Sequence, residues 1–353
     1  MTEAFTLQCP VPLGAKDKVL LGHGSGGTLS ADLIRNVFLP AFANPILARM
    51  DDQAVLKING ARLAFTTDSF VVKPLFFRGG DIGSLAVHGT VNDLAMGGAK
   101  PLYLSVAFIL EEGLPLETLS RVVDSLSRAA RAAGVEIVTG DTKVVERGSG
   151  DGLFINTTGI GVVPDHVRLS ASSARPGDKI LLSGSLGDHG IAILAEREGI
   201  QFDTEIQSDS AALHTLVESM LETSNAIRCL RDPTRGGLAS SLNEIAAQSE
   251  VSMELDETAI LIHEEVRGAC EMLGLDPLYV ANEGKLIAIV EPDAADAILN
   301  AMRRHPLGRE SRIIGTVGGS ASGSLAGLVT MRTPFGTTRI VSMLTGDQLP
   351  RIC

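Results

Sequence analysis

The chain has 353 residues, long enough for two domains and a sizeable core, and carries a net charge of −12 with no block of Lys and Arg. This excludes nucleic-acid binding through a basic surface, and it means that any anionic phosphate the protein binds must arrive with cations, usually Mg²⁺. Apolar residues make up 44 %, with 38 glycines and no tryptophan, and neither a membrane-spanning run nor a signal-peptide pattern is present, so a cytoplasmic α/β or α+β protein is expected.

In chain order, the glycine-rich "LGHGSGGTLS" over 21–30 leads into a helix from about Ser30 to Phe38, ending near Pro40. A strand fits 61–70, a helix Ile82 to Ala95 with Gly97-Gly98 as its stop, and a buried strand 102–110. Leu119, Val122, Val123, Leu126, Ala130 and Ala133 then mark one face of an amphipathic helix that ends at Gly134. "VEIVTG" and "LFINTTGIGVV" read as further strands, and the pattern breaks between Pro164 and Gly177, where a domain junction is placed. Beyond it, strands are expected at "KILLSG", 251–255, 285–290, 311–317 and 327–332, with helices at 208–223, 236–248, 262–273 and 292–303. The simplest architecture is a sheet with helices on one side, twice over, followed by a polar tail whose last ten residues are expected to be mobile.

Asp52, Asp68, Asp93 and Asp141 stand at strand ends or beside glycine turns, where α/β proteins place functional groups. Singly each reads as a cap or turn; together, converging, they could hold Mg²⁺ against a nucleotide. "GHGSGG" could cradle a phosphate or be an ordinary loop. Lys143 and Arg235 suit phosphate, and each also reads as a surface cation; Asp232 stands with Arg235 ahead of a helix. Glu283, with Lys285 just ahead of a buried strand, is either a general base or half of an ion pair. His189 in "SLGDHG" reads as an ordinary helix N-terminal residue. Cys9, Cys229, Cys270 and Cys353 show no CxxC or zinc spacing; Cys229 and Cys270 read as inert core thiols, whereas Cys353 ends the chain.

"HGSGG", "FTTDSF", "NDLAMGGAKP", "EEGLPLETL", "TGDTKVVERG", "SGSLGDHG", "DPTRGG", "ANEGKL" and the terminal "PRIC" together resemble the HypE family of hydrogenase maturation factors, from about residue 19 to the end. Apart from "PRIC", these stretches are similar to the wider superfamily of PurM, selenophosphate synthetase and thiamine-monophosphate kinase.

The resemblance implies a two-domain PurM-like α+β fold, with the N-terminal domain pairing into a β-barrel across a homodimer, a second ferredoxin-like domain and a flexible C-terminal tail. The segments would be a variable extension (1–18), an ATP-binding domain (19–165), a second domain (166–332) and the tail (333–353). It also implies an activity. Cys353 would receive a carbamoyl group from a HypF partner, and ATP would drive its dehydration to a thiocyanate. The cyano group would pass to iron on a HypC–HypD complex for [NiFe]-hydrogenase. Asp52, Asp68, Asp93 and Asp141 would hold Mg²⁺. Asn92, Gly140, Asp232 and Arg235 would join them in binding ATP, Lys143 would touch a phosphate or the carboxamide, and Glu283 would be the base. Asp52 rather than Asp51 is carried over from "MDDQA", and Asp81 is left without a role. Nine residues from Thr345 reach at most about 30 Å, enough to swing between an internal site and a partner. The alternatives are a sister kinase acting on a free small molecule, for which the terminal thiol is dispensable, and a non-catalytic carrier using its tail as a docking peptide.

Overall fold

The structure, a computed structural model, describes residues 18–200, 206–319, 327–346, 349 and 351–353. Cys9, Pro350 and nearly all of the expected extension over 1–18 therefore lie outside the described residues. After a 3-10 turn at Leu21–Gly24 come two short helices, α1 (Thr28–Leu33) and α2 (Leu39–Phe42), joined by a π turn over Ile34–Phe38. The helical run thus passes the expected stop at Pro40, which sits in the first turn of α2, where its missing N–H costs least.

The first sheet is built from β1 (Ala54–Ile58), β2 (Ala61–Phe70), β5 (Lys100–Glu111), β6 (Glu136–Val145) and β7 (Leu153–Val162), in the order β1-β2-β7-β5-β6. A two-residue hairpin, β3 (Phe76–Phe77) and β4 (Gly80–Asp81), leads into α3 (Ile82–Met96). Asp81 acquires a role here: it caps α3, accepting from the backbone N–H groups of Gly83 and Ser84. With α4 (Leu116–Ala132), α3 covers one face of the sheet. Burial alternates along β7, as one-sided packing requires, and Phe65, Tyr103, Ile109, Ile160 and Val162 stay exposed on the chain's own surface. Among the described residues, strand β6 has no partner on its outer edge.

The second sheet contains β8 (Lys179–Leu182), β9 (Ile227–Arg231), β10 (Met253–Asp256), β11 (Ile287–Val290), β12 (Arg312–Val317), β13 (Val329–Arg332) and β14 (Thr338–Ile340), ordered β14-β13-β10-β12-β8-β11-β9. Around it lie α5 (Asp188–Glu198), α6 (His214–Thr223), α7 (Gly237–Gln248), α8 (Glu264–Leu273) and α9 (Ala295–Arg304). Helices on one side describe the first sheet but not the second. Ile180, Leu182, Ile287 and Ile289 pack with α7, while Leu181, Ala288 and Val290 pack with α6, α9 and the end of α3. Both faces of the central strands are covered, which is why "KILL" and "IAIV" are unbroken apolar runs.

Two further expectations change. Residues 208–213, expected as the start of a helix over 208–223, belong to an irregular strap over 206–213, and the helix begins at His214. The end of the chain, read as mobile, is docked. Val71 and Lys73 donate backbone N–H groups to the carbonyls of Cys353 (2.9 Å) and Arg351 (3.2 Å), and Ile352 is 4 % exposed among Phe70, Val72 and Phe77. Ile352 supplies an apolar anchor at the tip of the tail, beside Leu349, which packs against the same cluster.

Candidate active site

A cavity of ≈ 580 Å³ opens between the two halves of the chain. Asp52, just ahead of β1, Asp68 near the end of β2, and Asp93 on α3 line it from the first domain. Asp232 and Arg235, following β9, and Glu283, ahead of β11, line it from the second, and the docked tail brings Cys353 to the same space. The glycine loop closes one side with His23, Gly26, Gly27 and Ser30. It also seats the base of the tail: Thr28 N–H donates to the Leu344 carbonyl (2.9 Å) and Ser25 Oγ to the Gly346 carbonyl (2.8 Å). Gly26 has φ +74°, and a Cβ there would strike Arg235, so this residue must be glycine.

The cavity is overcharged with acid. Burial is the main cause that raises the carboxyls of Asp52, Asp68, Asp93, Asp232 and Glu283. Asp52 is pushed up to about 7 and Asp232 to about 6, both held down in part by Arg231. Asp68 is raised against the pull of Arg235. Asp93 is raised well above the usual range, its burial reinforced by Asp232, Asp68 and Asp52, although the Thr66 hydroxyl lies 2.8 Å from its Oδ2. Glu283, 2 % exposed, is likewise raised well above its ordinary value by burial and then by Asp232 and Asp68, and its Oε1 has no hydrogen-bond partner. Such a group of acids titrates together and calls for cations. Among the described residues, no three His, Cys, Asp or Glu side chains already form a metal cage. The Cys353 thiol, half-buried, is pushed up to about 12 by burial and the nearby carboxyls, with Arg235 opposing.

Four expected site residues are not at this cavity within one chain. Asp141 and Lys143 pair with each other on β6 (2.7 Å), 63 % and 70 % exposed. Gly140, on the same strand, lies against β5, where a Cβ would collide with the Val106 carbonyl. Asn92 is buried and fully used: its Nδ2 donates to the carbonyls of Ala211 (3.0 Å) and Glu283 (3.2 Å), and its Oδ1 accepts from Leu213 N–H (2.8 Å). It ties α3 to the backbone that carries Glu283. Asp51 borders the cavity too, with its carboxylate engaged by Ser170, the Ala171 N–H and Arg49. The ion pair weighed for Glu283 is not formed with Lys285, which pairs instead with Asp209 at 3.0 Å. Cys229 and Cys270 are buried, with thiols raised to about 12 and about 11 by that burial.

Sequence reasoning missed Arg231, although it stands directly before Asp232. Its guanidinium pairs with Asp52 across the two domains (3.1 Å) and with Glu244 on α7. Arg231→Met leaves two largely buried carboxylates without their cation and is expected to destabilise the protein by about 3–5 kcal/mol. Without Arg231, Asp52 escapes the penalty by taking up a proton at low pH. The fall in Tm should therefore be larger at pH 8.5 than at pH 6, measured by calorimetry across that range. An equal fall at both values would mean that the charge on Asp52 is not what Arg231 balances.

Comparison with known proteins completes the description. Residues 50–163 match the AIR synthase related protein, N-terminal domain, and residues 175–327 its C-terminal domain. Carbamoyl dehydratase HypE of Cupriavidus necator is 59 % identical over 344 residues, covering 97 % of each chain. A crystal structure of a HypE-HypF complex superposes with TM-score 0.84 at 50 % identity, covering 88 % of this chain and 99 % of that one. A crystal structure of hydrogenase maturation protein HypE in complex with ATP gives TM-score 0.80 at 53 % identity, covering 95 % and 100 %. Two AIR synthase related domains in order, and identity this high over almost the whole of each relative, have one reading: this chain belongs to the HypE family.

Proposed function

We propose that the protein dehydrates a carbamoyl group carried on the thiol of its own Cys353, at the expense of ATP. The observation that carries this is the position of the terminal cysteine, which lies in one cavity with Asp52, Asp68, Asp93, Asp232, Arg235 and Glu283. A kinase acting on a free small molecule has no use for a thiol there, and a carrier using its tail as a docking peptide would leave it outside.

In balance, the S-carbamoyl group gives up the elements of water. Its oxygen leaves with the phosphoryl group, both N–H protons depart, and a nitrile remains on sulfur with ADP and phosphate released. Asp52, Asp68, Asp93 and Asp232 would hold Mg²⁺ and ATP. The mutual repulsion of these buried acids fits a cation. The lack of a ready cage fits Mg²⁺, which arrives on phosphate oxygens and needs only one or two carboxylates. Bound there, Mg-ATP supplies the phosphoryl group that makes an amide oxygen a good leaving group. Arg235 faces the charge that develops. Glu283, buried with a free oxygen, takes an N–H proton.

Gly140, Asp141 and Lys143 reach the site in this reading from a second copy of the chain. Among the described residues their strand has no partner on its outer edge, and Ile137, Val138 and Val144 on it are exposed and apolar. An edge of that kind invites pairing, here into the barrel of a homodimer, with a ferredoxin-like second domain on each side. A HypF partner, of the kind seen in complex with a HypE relative, is the carbamoyl donor in this reading, and a HypC–HypD complex accepts the cyanide. No described helix is long and apolar enough to cross a membrane.

The test is mass spectrometry of the C-terminal peptide after carbamoylation by an active HypF and addition of Mg-ATP. An ATP-dependent loss of one water mass at Cys353 is expected. A carbamoyl mark that survives while ATP is bound would favour a carrier. No mark at all, with HypF active on a known acceptor, would favour a sister kinase.

A further inference from the structure

The docked tail is gripped from both domains. On the first-domain side, Val71 and Lys73 pair with its backbone, Arg351 Nε donates to the Val71 carbonyl (3.0 Å), and the Arg351 guanidinium meets Asp151. Arg351 sits at φ 54°, a conformation that non-glycine residues disfavour, so the tail does not take this path by local preference and contacts must hold it.

From the second domain α5 grips the tail twice: Arg197 Nη2 donates to the Arg351 carbonyl (2.6 Å), and His189, in the first turn, reaches the next residue. The imidazole is fully buried, and its Nε2 lies 3.0 Å from the Ile352 carbonyl, one peptide from the reactive residue. Its Nδ1 lies 2.7 Å from Ser208 Oγ, and Phe77 meets the ring edge-on at 5.7 Å. A carbonyl can only accept, so the proton of the neutral ring sits on Nε2, and the Ser208 hydroxyl donates to Nδ1. Burial favours that neutral form. Ser208 is itself fixed: its N–H donates to the Arg78 carbonyl (2.9 Å), and its Oγ accepts from Ser210 N–H (3.1 Å). The next strap residue, Asp209, accepts from Glu283 N–H (3.0 Å) and pairs with Lys285. Two adjacent strap residues therefore set the tail's histidine and the backbone of the buried glutamate.

We infer that His189 is a positioning residue for the tail: donating from Nε2 to the Ile352 carbonyl, it holds Cys353 in the cavity, and the Ser208–Asp209 strap keeps that hold in register with Glu283. This rests on the reading of Cys353 as the substrate carrier.

The test is the rate at which iodoacetamide alkylates Cys353 in the full-length protein without nucleotide, resolved by peptide. Cys229 and Cys270, both buried, report whether the fold is intact. The wild-type Cys353 should react slowly. His189→Met should react at least about tenfold faster at Cys353 alone, since a released thiol regains its ordinary acidity and access. His189→Gln, whose amide N–H can take the place of Nε2–H, should stay within about threefold of wild type.

A wild-type Cys353 that reacts as fast as a free peptide thiol overturns the proposal. So does a His189→Met rate equal to wild type, or a His189→Gln rate equal to that of His189→Met. If His189→Met also exposes Cys229 and Cys270, Ser208→Ala decides: faster alkylation of Cys353 upholds the proposal and an unchanged rate ends it. Because alkylation needs neither carbamoyl group nor ATP, failure of the dehydratase reading leaves this result standing, and the converse holds as well.

Discussion

Glu283→Gln is expected to bind Mg-ATP within about twofold of wild type and to dehydrate the carbamoylated tail about 10²–10⁴-fold more slowly, the range for loss of a general base. The substitution keeps the volume and polarity of a side chain that is 2 % exposed, so the cavity should persist. It removes only the capacity to accept a proton. Because burial and Asp232 hold the Glu283 carboxyl well above its usual range, the group starts protonated, and its ionised, active fraction grows as pH rises. The wild-type rate should climb with pH along that limb, and the variant's residual rate should not.

Stability runs the opposite way. A carboxyl whose folded pKa is raised binds its proton more tightly in the native state. Its contribution is full below the ordinary carboxylate value and is lost as pH rises through the raised one. Glu283→Gln removes this loss, so its Tm relative to wild type should increase with pH. Single-turnover kinetics and thermal scans across pH test both signs. Unimpaired turnover removes Glu283 from the mechanism.

Adding three residues, such as Gly-Ser-Gly, after Cys353 is expected to suppress dehydration by at least about tenfold while nucleotide binding is retained. The carbonyl of Cys353 accepts from Val71 N–H, and the residue borders a cavity crowded with Asp68, Asp232 and Glu283. Further chain must either run among those carboxyls or pull Ile352 from its apolar seat. Exposing Ile352 alone costs about 1.5–3 kcal/mol, roughly 10–10²-fold in docked population. A normal rate in the extended protein would show that the reactive thiol need not be terminal.

Much of the scaffold was legible in the sequence because its periods are local. The strand read over 61–70 coincides with β2, and of the apolar stripe on α4, Val122, Leu126, Ala130 and Ala133 are buried, while Val123 is exposed. The strand β9 escaped notice because "IRCLR" mixes charge with apolar residues, and its two arginines serve ion pairs with Asp178 and Asp52. Residues 208–213 fit the start of a helix by residue type alone. They stay out of helix because Ser208, Asp209 and Ser210 bond with His189, Glu283 and His88, none of them a sequence neighbour.

The sequence by itself determined which residues were available: the aspartates at strand ends, the arginine and glutamate beside glycine turns, and the cysteine that ends the chain. Residue type and local turn chemistry announce such groups. The tertiary structure decided which of them meet. Asp52, Asp68 and Asp93 share a cavity with Asp232, Glu283 and Cys353, whereas Asp141 and Lys143 point to solvent on an edge strand. No local period encodes that division. It follows from a fold in which the ends of β2 and β9 face one space, and from the apolar seat of Ile352 and Leu349 with the backbone bonds that dock the tail beside them.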